Sequence, residues 1–190
     1  MNWKAYDLYI WIFRVLVLLS GAIMVVSFTQ PWWTGAIGNG AINVYGWGLR
    51  HNISGLLIQY ISDDITPTWQ ISLAWVYIAV SIAVAIVGTF IKKWWGSLLI
   101  AISGIGYIAY AYTAMNTVIS NRLATSNIAL EGYTAIGGSF GITIIANIES
   151  AYYLAYIAGG MLLLLAIIWL FVAIARSLLN KSKLHVNNTP

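Results

Sequence analysis

The sequence predicts an all-α membrane protein: one domain, residues 1–190, built as a four-helix transmembrane bundle. Three observations predict it. Hydrophobic residues make up 61 % of the chain and charged residues 7 %, where a soluble domain carries about 25 % charged residues. A soluble surface that apolar would associate through its exposed patches. Four stretches reach the roughly 20 mostly apolar residues that a helix needs to cross the hydrocarbon core, and Lys and Arg collect in the flanks that share one side of them.

The first span runs from about Leu8 to Phe28. It exceeds the roughly 7–15 apolar residues of a cleavable leader, so it reads as a span that is its own insertion signal. The second, Leu73 to Ile91, and the third, Trp95 to Met115, contain no charge. The fourth, Tyr152 to Ile174, includes an apolar run from Met161 to Phe171. Helices of a soluble bundle would show a polar face at a 3.6-residue period, and the second and fourth stretches show none.

Orientation follows from the cations. Lys4, Arg14, Lys92, Lys93, Arg176, Lys181 and Lys183 fall on one side, while the other holds only Arg50 and Arg122. That asymmetry predicts a multi-pass protein of the cell membrane with both termini and the Lys92-Lys93 turn in the cytoplasm. Trp3, Tyr6, Trp32, Trp33, Trp69, Trp94, Trp95, Tyr152 and Tyr153 stand at span ends, as interfacial aromatic belts do.

Two outer loops remain, residues 29–72 and 116–151. Connections this long are usually folded. Loop one is rich in Gly, Asn, Trp and Ile, and loop two holds Ile142-Thr-Ile-Ile145 after the Gly-rich stretch 137–141. Both read as short strands with turns, with Gly35 to Gly40 among the turns. Leu56 to Ile61 reads as a helical turn or a strand, and Thr66-Pro67 as a turn before span two. The cytoplasmic segment 175–190 ends in a polar tail, Asn180 to Pro190, expected to be disordered.

Chemistry-bearing residues are few. The absence of cysteine excludes disulfides, thiolate catalysis and Cys-ligated metals. The net charge of +4 is not clustered as nucleic-acid binding requires. The two histidines, His51 and His185, lie on opposite sides, so no bis-histidine haem site can form. No Walker A loop or GxSxG motif occurs. No catalytic residue, metal site or cofactor is therefore assigned. Arg14 is the one charge inside a span, which is a functional hypothesis by default. Its place near the cytoplasmic end, two helical turns from Asp7, favours snorkelling to the headgroups. Asn52-Ile-Ser54 is a glycosylation sequon on the outer side. Small residues four apart, Ala79 and Ala83, Ser81 and Ala85, Ser97 and Ala101, Ala155 and Gly159, permit close helix approach inside the bundle or along a seam with another subunit.

Loop one opens Gln30-Pro-Trp-Trp-Thr-Gly-Ala-Ile-Gly-Asn39 and later reads Tyr45-Gly-Trp-Gly-Leu-Arg50. With four spans, cytoplasmic ends and a larger first outer loop, the chain resembles the claudin and PMP22-like tetraspan superfamily. Pro31, Trp33, Ile37 to Asn39 and Gly48-Leu49 carry the likeness. The two loop-one cysteines of that family are absent, and Arg50 stands where its last Trp would be. The resemblance implies one small extracellular β-sheet built from both outer loops, and association side by side or face to face.

Three functions are consistent with these residues. The first is a non-enzymatic tetraspan with a structural, adhesive or assembly role, in contact with the lipid bilayer and with itself or another membrane subunit. Trp33, Tyr45 and Trp47 would anchor its contacts, or would form a small core beneath the outer sheet. The second is an accessory subunit of a larger membrane complex of respiratory or oxidase type. The third is a membrane enzyme with a site at the outer interface, using Arg50, His51, Asp63 and Asp64. A transporter is disfavoured, because no span carries a midplane charge or a break.

Overall fold

A computed structural model describes residues 3–52, 66–118, 130–136 and 142–187. Four helices long and apolar enough to cross a membrane pack as a bundle, and a five-stranded antiparallel sheet continues from one end of it. In chain order these are α1 (Trp3–Thr29), β1 (Pro31–Ile37), β2 (Gly40–Tyr45), β3 (Gly48–His51), α2 (Thr68–Phe90), α3 (Trp95–Val118), β4 (Gly132–Ile136), β5 (Ile142–Ile148) and α4 (Ser150–Asn187). Leu56 to Ile61, Asp63, Asp64 and the stretch 137–141 lie outside the described residues.

The helices pack in the ring α1–α4–α3–α2. Lipid is as apolar as the helix surfaces, so packing and hydrogen bonds hold such a ring, and small residues mark the close crossings. A Cβ on Gly104 would come 2.8 Å from the Gly159 carbonyl, and one on Gly159 would come 2.9 Å from the Gly104 carbonyl. At the α2–α3 turn, Gly88 and Gly96 meet in the same way. Buried hydroxyls and one indole tie the ring to backbone carbonyls. Ser103 donates to Ser81 (2.6 Å), Tyr107 to Met24 (3.0 Å), and the Trp169 indole to Ile91 (3.1 Å).

The sheet follows from the helix ring. Only Gln30 separates α1 from β1, and only Glu149 separates β5 from α4. Because α1 and α4 pack side by side, β1 and β5 leave the bundle as neighbours and pair antiparallel, Trp33 to Ile148 through Ile37 to Ile144. The Ser27 hydroxyl donates to the Ala151 carbonyl (2.7 Å) and the Glu149 amide to the Trp32 carbonyl (2.9 Å), which staples the joint. Strands β2 and β3 add on one side and β4 on the other, giving the order β3-β2-β1-β5-β4. Two-residue turns connect β1 to β2, where Gly38 holds a positive φ that suits glycine, and β2 to β3.

Four expectations are corrected. Gly35 is a strand residue and not part of a turn; it is buried, because the Trp33 ring lies over the place a Cβ would take, at 2.5 Å. Trp32 and Trp33 are fully buried rather than interfacial. Strand alternation sends these adjacent rings to opposite sides: Trp32 donates to the Ser27 carbonyl (2.7 Å) and packs near Tyr110 and Tyr152 at the bundle end, and Trp33 lies in the core of the sheet. Helix α2 starts at Thr68, earlier than its apolar run, with Pro67 as its N-cap and the Pro67 carbonyl accepting from the Gln70 and Ile71 amides (3.0 and 3.2 Å). The tail is helical through Asn187: no Gly or Pro interrupts it before Pro190, and extending a formed helix costs far less than nucleating one.

Candidate interaction surface

Cross-strand register divides the sheet into two faces, because paired residues point the same way. One face holds Trp33, Ile37, Ile42, Val44, Leu49, Ile144 and Ala146, all buried. The Trp33 indole donates to the Leu130 carbonyl (2.8 Å), and the Leu49 amide donates to the Thr66 hydroxyl (2.8 Å). The opposite face carries Thr34, Asn43, Arg50, Thr143, Ile145, Asn147 and Tyr133, which are exposed or half-buried.

On that open face the pairings Arg50–Asn43, Asn43–Thr34 and Thr34–Asn147 line four polar side chains into one row across β3, β2, β1 and β5. Strands lie about 4.8 Å apart, so the row spans roughly 14 Å. Glu149 extends it, accepting a hydrogen bond from the Thr34 hydroxyl (2.6 Å). Ala41, Ala36, Ile145 and Tyr133 form the next row. Tyr133 is 78 % exposed, far more than a structural role requires.

The sequence-derived residues separate between the faces. Tyr45 and Trp47 stack at 4.6 Å and 12°, and the Arg50 guanidinium lies 5.4 Å from the centre of the Trp47 ring. Tyr45, Trp47 and Arg50 thus form one aromatic and cationic stack at the β2–β3 end of the open face. A cation over indole is attracted by the ring quadrupole. Trp33 belongs to the core on the other face. His51 lies on that face too, paired with Ile42, and both its ring nitrogens are buried without a hydrogen-bond partner among the described residues. Arg50 and His51 therefore do not converge on one ligand, and Asp63 and Asp64 lie outside the described residues. Among the described residues no three His, Asp or Glu side chains gather as metal ligands. Asn52 uses its carboxamide oxygen to accept from the Ala41 amide (2.6 Å), which closes the free end of the β2–β3 pair.

Thr34, Asn43 and Asn147 are site residues that sequence reasoning missed. The alternation Thr143, Ile145, Asn147 within Ile142 to Ile148 signals an open face, but the row needs the register of four strands. The helix seams also separate. Ser81, Ala85, Ser97, Ala155 and Gly159 are buried inside the bundle, whereas Ala79 and Ala83 face outward on α2 beside the exposed Val76 and Val80. No protein-family model matches the chain, and no curated protein matches it.

Proposed function

We propose that the chain is a four-span protein of the cell membrane, with both termini cytoplasmic and the sheet on the outer side. Its role is structural: an adhesive or assembly protein of claudin-like type that meets a partner, or a second copy of itself, through the open face of the sheet. The observation that carries this reading is the division of the sheet. One face is filled by its own core, and the other presents a polar row flanked by the Tyr45–Trp47–Arg50 stack. Trp, Tyr and Arg are the residues that dominate interface energetics. The cation asymmetry supports the orientation, and exposed Trp69, Trp94, Trp95 and Tyr153 suit the two headgroup regions.

A second reading, an accessory subunit of a larger membrane complex, draws support from Ala79 and Ala83, which offer a close-approach surface to another helix. Extraction from native membranes in mild detergent, followed by mass and composition analysis, tests both. A homo-oligomer, or the chain with one partner, that dissociates in W47A or R50A is expected. Recovery with haem, flavin or metal-bearing subunits would favour the accessory role. A bare wild-type monomer would overturn the assembly reading.

A further inference from the structure

The α2–α3 hairpin is shorter than the helices beside it, and the step it leaves is basic. Three contacts fix its level. Phe13 stacks on Trp169 at 4.6 Å, the Trp169 indole bonds to the Ile91 carbonyl, and the Arg14 guanidinium lies 4.2 Å from the centre of the Phe90 ring. From that level α1 runs on to Trp3, about 16 Å, and α4 runs on to Asn187, about 27 Å. As far as Leu8 on α1 and Leu178 on α4, the large exposed side chains are apolar: Leu8, Trp11 and Ile12 on α1, Phe171, Ile174 and Leu178 on α4.

At the step stand Arg14, Lys92 and Lys93. Lys92 follows Phe90 by two peptide units, so its Cα lies within about 7.6 Å of that of Phe90. Lys92 and Lys93 are exposed, and Trp94 and Trp95 beside them are exposed and stacked at 4.0 Å. The Arg14 Nε is buried with no hydrogen-bond acceptor among the described residues. Of the five carboxylates, four belong to the segments between α1 and α2 or between α3 and α4. Only Asp7 shares this end, about 10 Å from Arg14 along the helix axis. The protein itself supplies these cations with no adjacent counter-charge among the described residues.

The apolar helix surfaces on the bundle side of the turn demand hydrocarbon, while the turn demands anions and water. We infer that an anionic phospholipid docks at the step, its headgroup phosphate held by Arg14, Lys92 and Lys93 and its chains running from there toward the bilayer centre over the exposed Val15 and Leu19 of α1 and Val80 and Val87 of α2. The inference rests on the membrane reading and goes beyond it. Basic pockets between helices on the cytoplasmic side are where anionic headgroups dock, and paired tryptophans favour that depth. A guanidinium over the Phe90 ring still has N–H donors to offer phosphate oxygens.

The full chain, delipidated in mild detergent, is offered equal phosphatidylglycerol and phosphatidylcholine, and the retained lipid is counted by native mass spectrometry. Wild type should retain phosphatidylglycerol selectively. R14Q should retain it about fivefold less and K92Q/K93Q about 25-fold less, at about fivefold per cation, while K181Q/K183Q matches wild type. Should R14Q fail to fold, K92Q/K93Q decides, since both lysines are exposed. Equal retention of the two lipids, or undiminished retention in K92Q/K93Q, overturns the site. So does stripping of the lipid by millimolar inorganic phosphate, which would mark a soluble-anion site. Loss of outer-face assembly in W47A with lipid selectivity intact would separate this inference from the proposed function.

Discussion

Adjacent glycines on α4 should respond to the same substitution with opposite sign. Gly159 is buried against α3. Its new Cβ would meet the Gly104 carbonyl oxygen at 2.9 Å and Ile108 Cγ1 at 2.5 Å, whereas a Cβ on Gly160 would meet nothing within 4 Å. The Ile108 side chain can rotate, but the carbonyl belongs to helix backbone, so α3 and α4 must separate. Overpacking of this kind costs about 1–3 kcal/mol, which at 2 kcal/mol lowers the folded-to-unfolded ratio about 30-fold. Gly160→Ala creates no clash and gains helix propensity, up to about 1 kcal/mol in favour of folding. Gly104→Ala approaches the Gly159 carbonyl from the other side at 2.8 Å. One separation of the helices relieves both clashes, so the double variant should cost less than the sum of the single ones, with coupling of about 0.5–3 kcal/mol. Reversible unfolding in mixed micelles, followed by far-ultraviolet circular dichroism, measures all four chains. A Gly159→Ala chain as stable as wild type, or a Gly160→Ala chain equally destabilised, would refute the crossing.

Further outcomes concern the sheet. Trp33→Ala should cost about 3–5 kcal/mol, because the ring is fully buried and bonded to Leu130. Trp47→Ala should change stability far less yet weaken partner binding about 30-fold, as truncated hot-spot residues do; thermal melts and affinity measurements separate the two. Tyr110→Phe removes the hydroxyl that donates to the Gly46 carbonyl (2.6 Å). It should cost about 0.5–1.5 kcal/mol and raise amide exchange in the β2–β3 turn without changing α3. His51→Leu should stabilise the protein by about 1–3 kcal/mol, since two buried nitrogens without partners disappear. Destabilisation would instead mean that His51 holds a group of its own.

The helices were legible because apolar length is a direct signal, and the strands of both loops were legible from their Ile- and Trp-rich stretches beside glycine-rich turns. What the sequence left hidden depended on events between elements. Tryptophan suits an interfacial belt and a buried core equally, so Trp32 and Trp33 are ambiguous until the fold covers both sides of the strand, the bundle end over Trp32 and the sheet core over Trp33. Alternation alone would have exposed one of the pair. The start of α2 at Thr68 was hidden behind the polar Thr-Trp-Gln-Ile-Ser stretch, although Pro67 was the cue. Within the candidate surface, Tyr45, Trp47 and Arg50 were found by composition, while Thr34, Asn43 and Asn147 became a row only through register. The division of Arg50 from His51 follows from strand parity, which assigns neighbours in sequence to opposite faces.

Without cysteine, the sheet needs another constraint on its central pair, and the bundle supplies it. A disulfide typically contributes about 2–4 kcal/mol by limiting the unfolded chain. Here β1 and β5 each emerge from a helix after one residue, and those helices are already packed, so little chain entropy remains to be lost when the strands meet. The constraint should therefore be transmitted through the joint. Ser27→Ala removes the bond to the Ala151 carbonyl, at a cost of about 0.5–1.5 kcal/mol, without touching any strand. Hydrogen exchange should then rise along Trp33 to Ile37 and Ile144 to Ile148 while the α3 core around Ile100 and Tyr107 keeps its protection. A uniform rise across sheet and bundle would mean that the two unfold as a single unit, and that the joint transmits global stability rather than fixing the sheet locally.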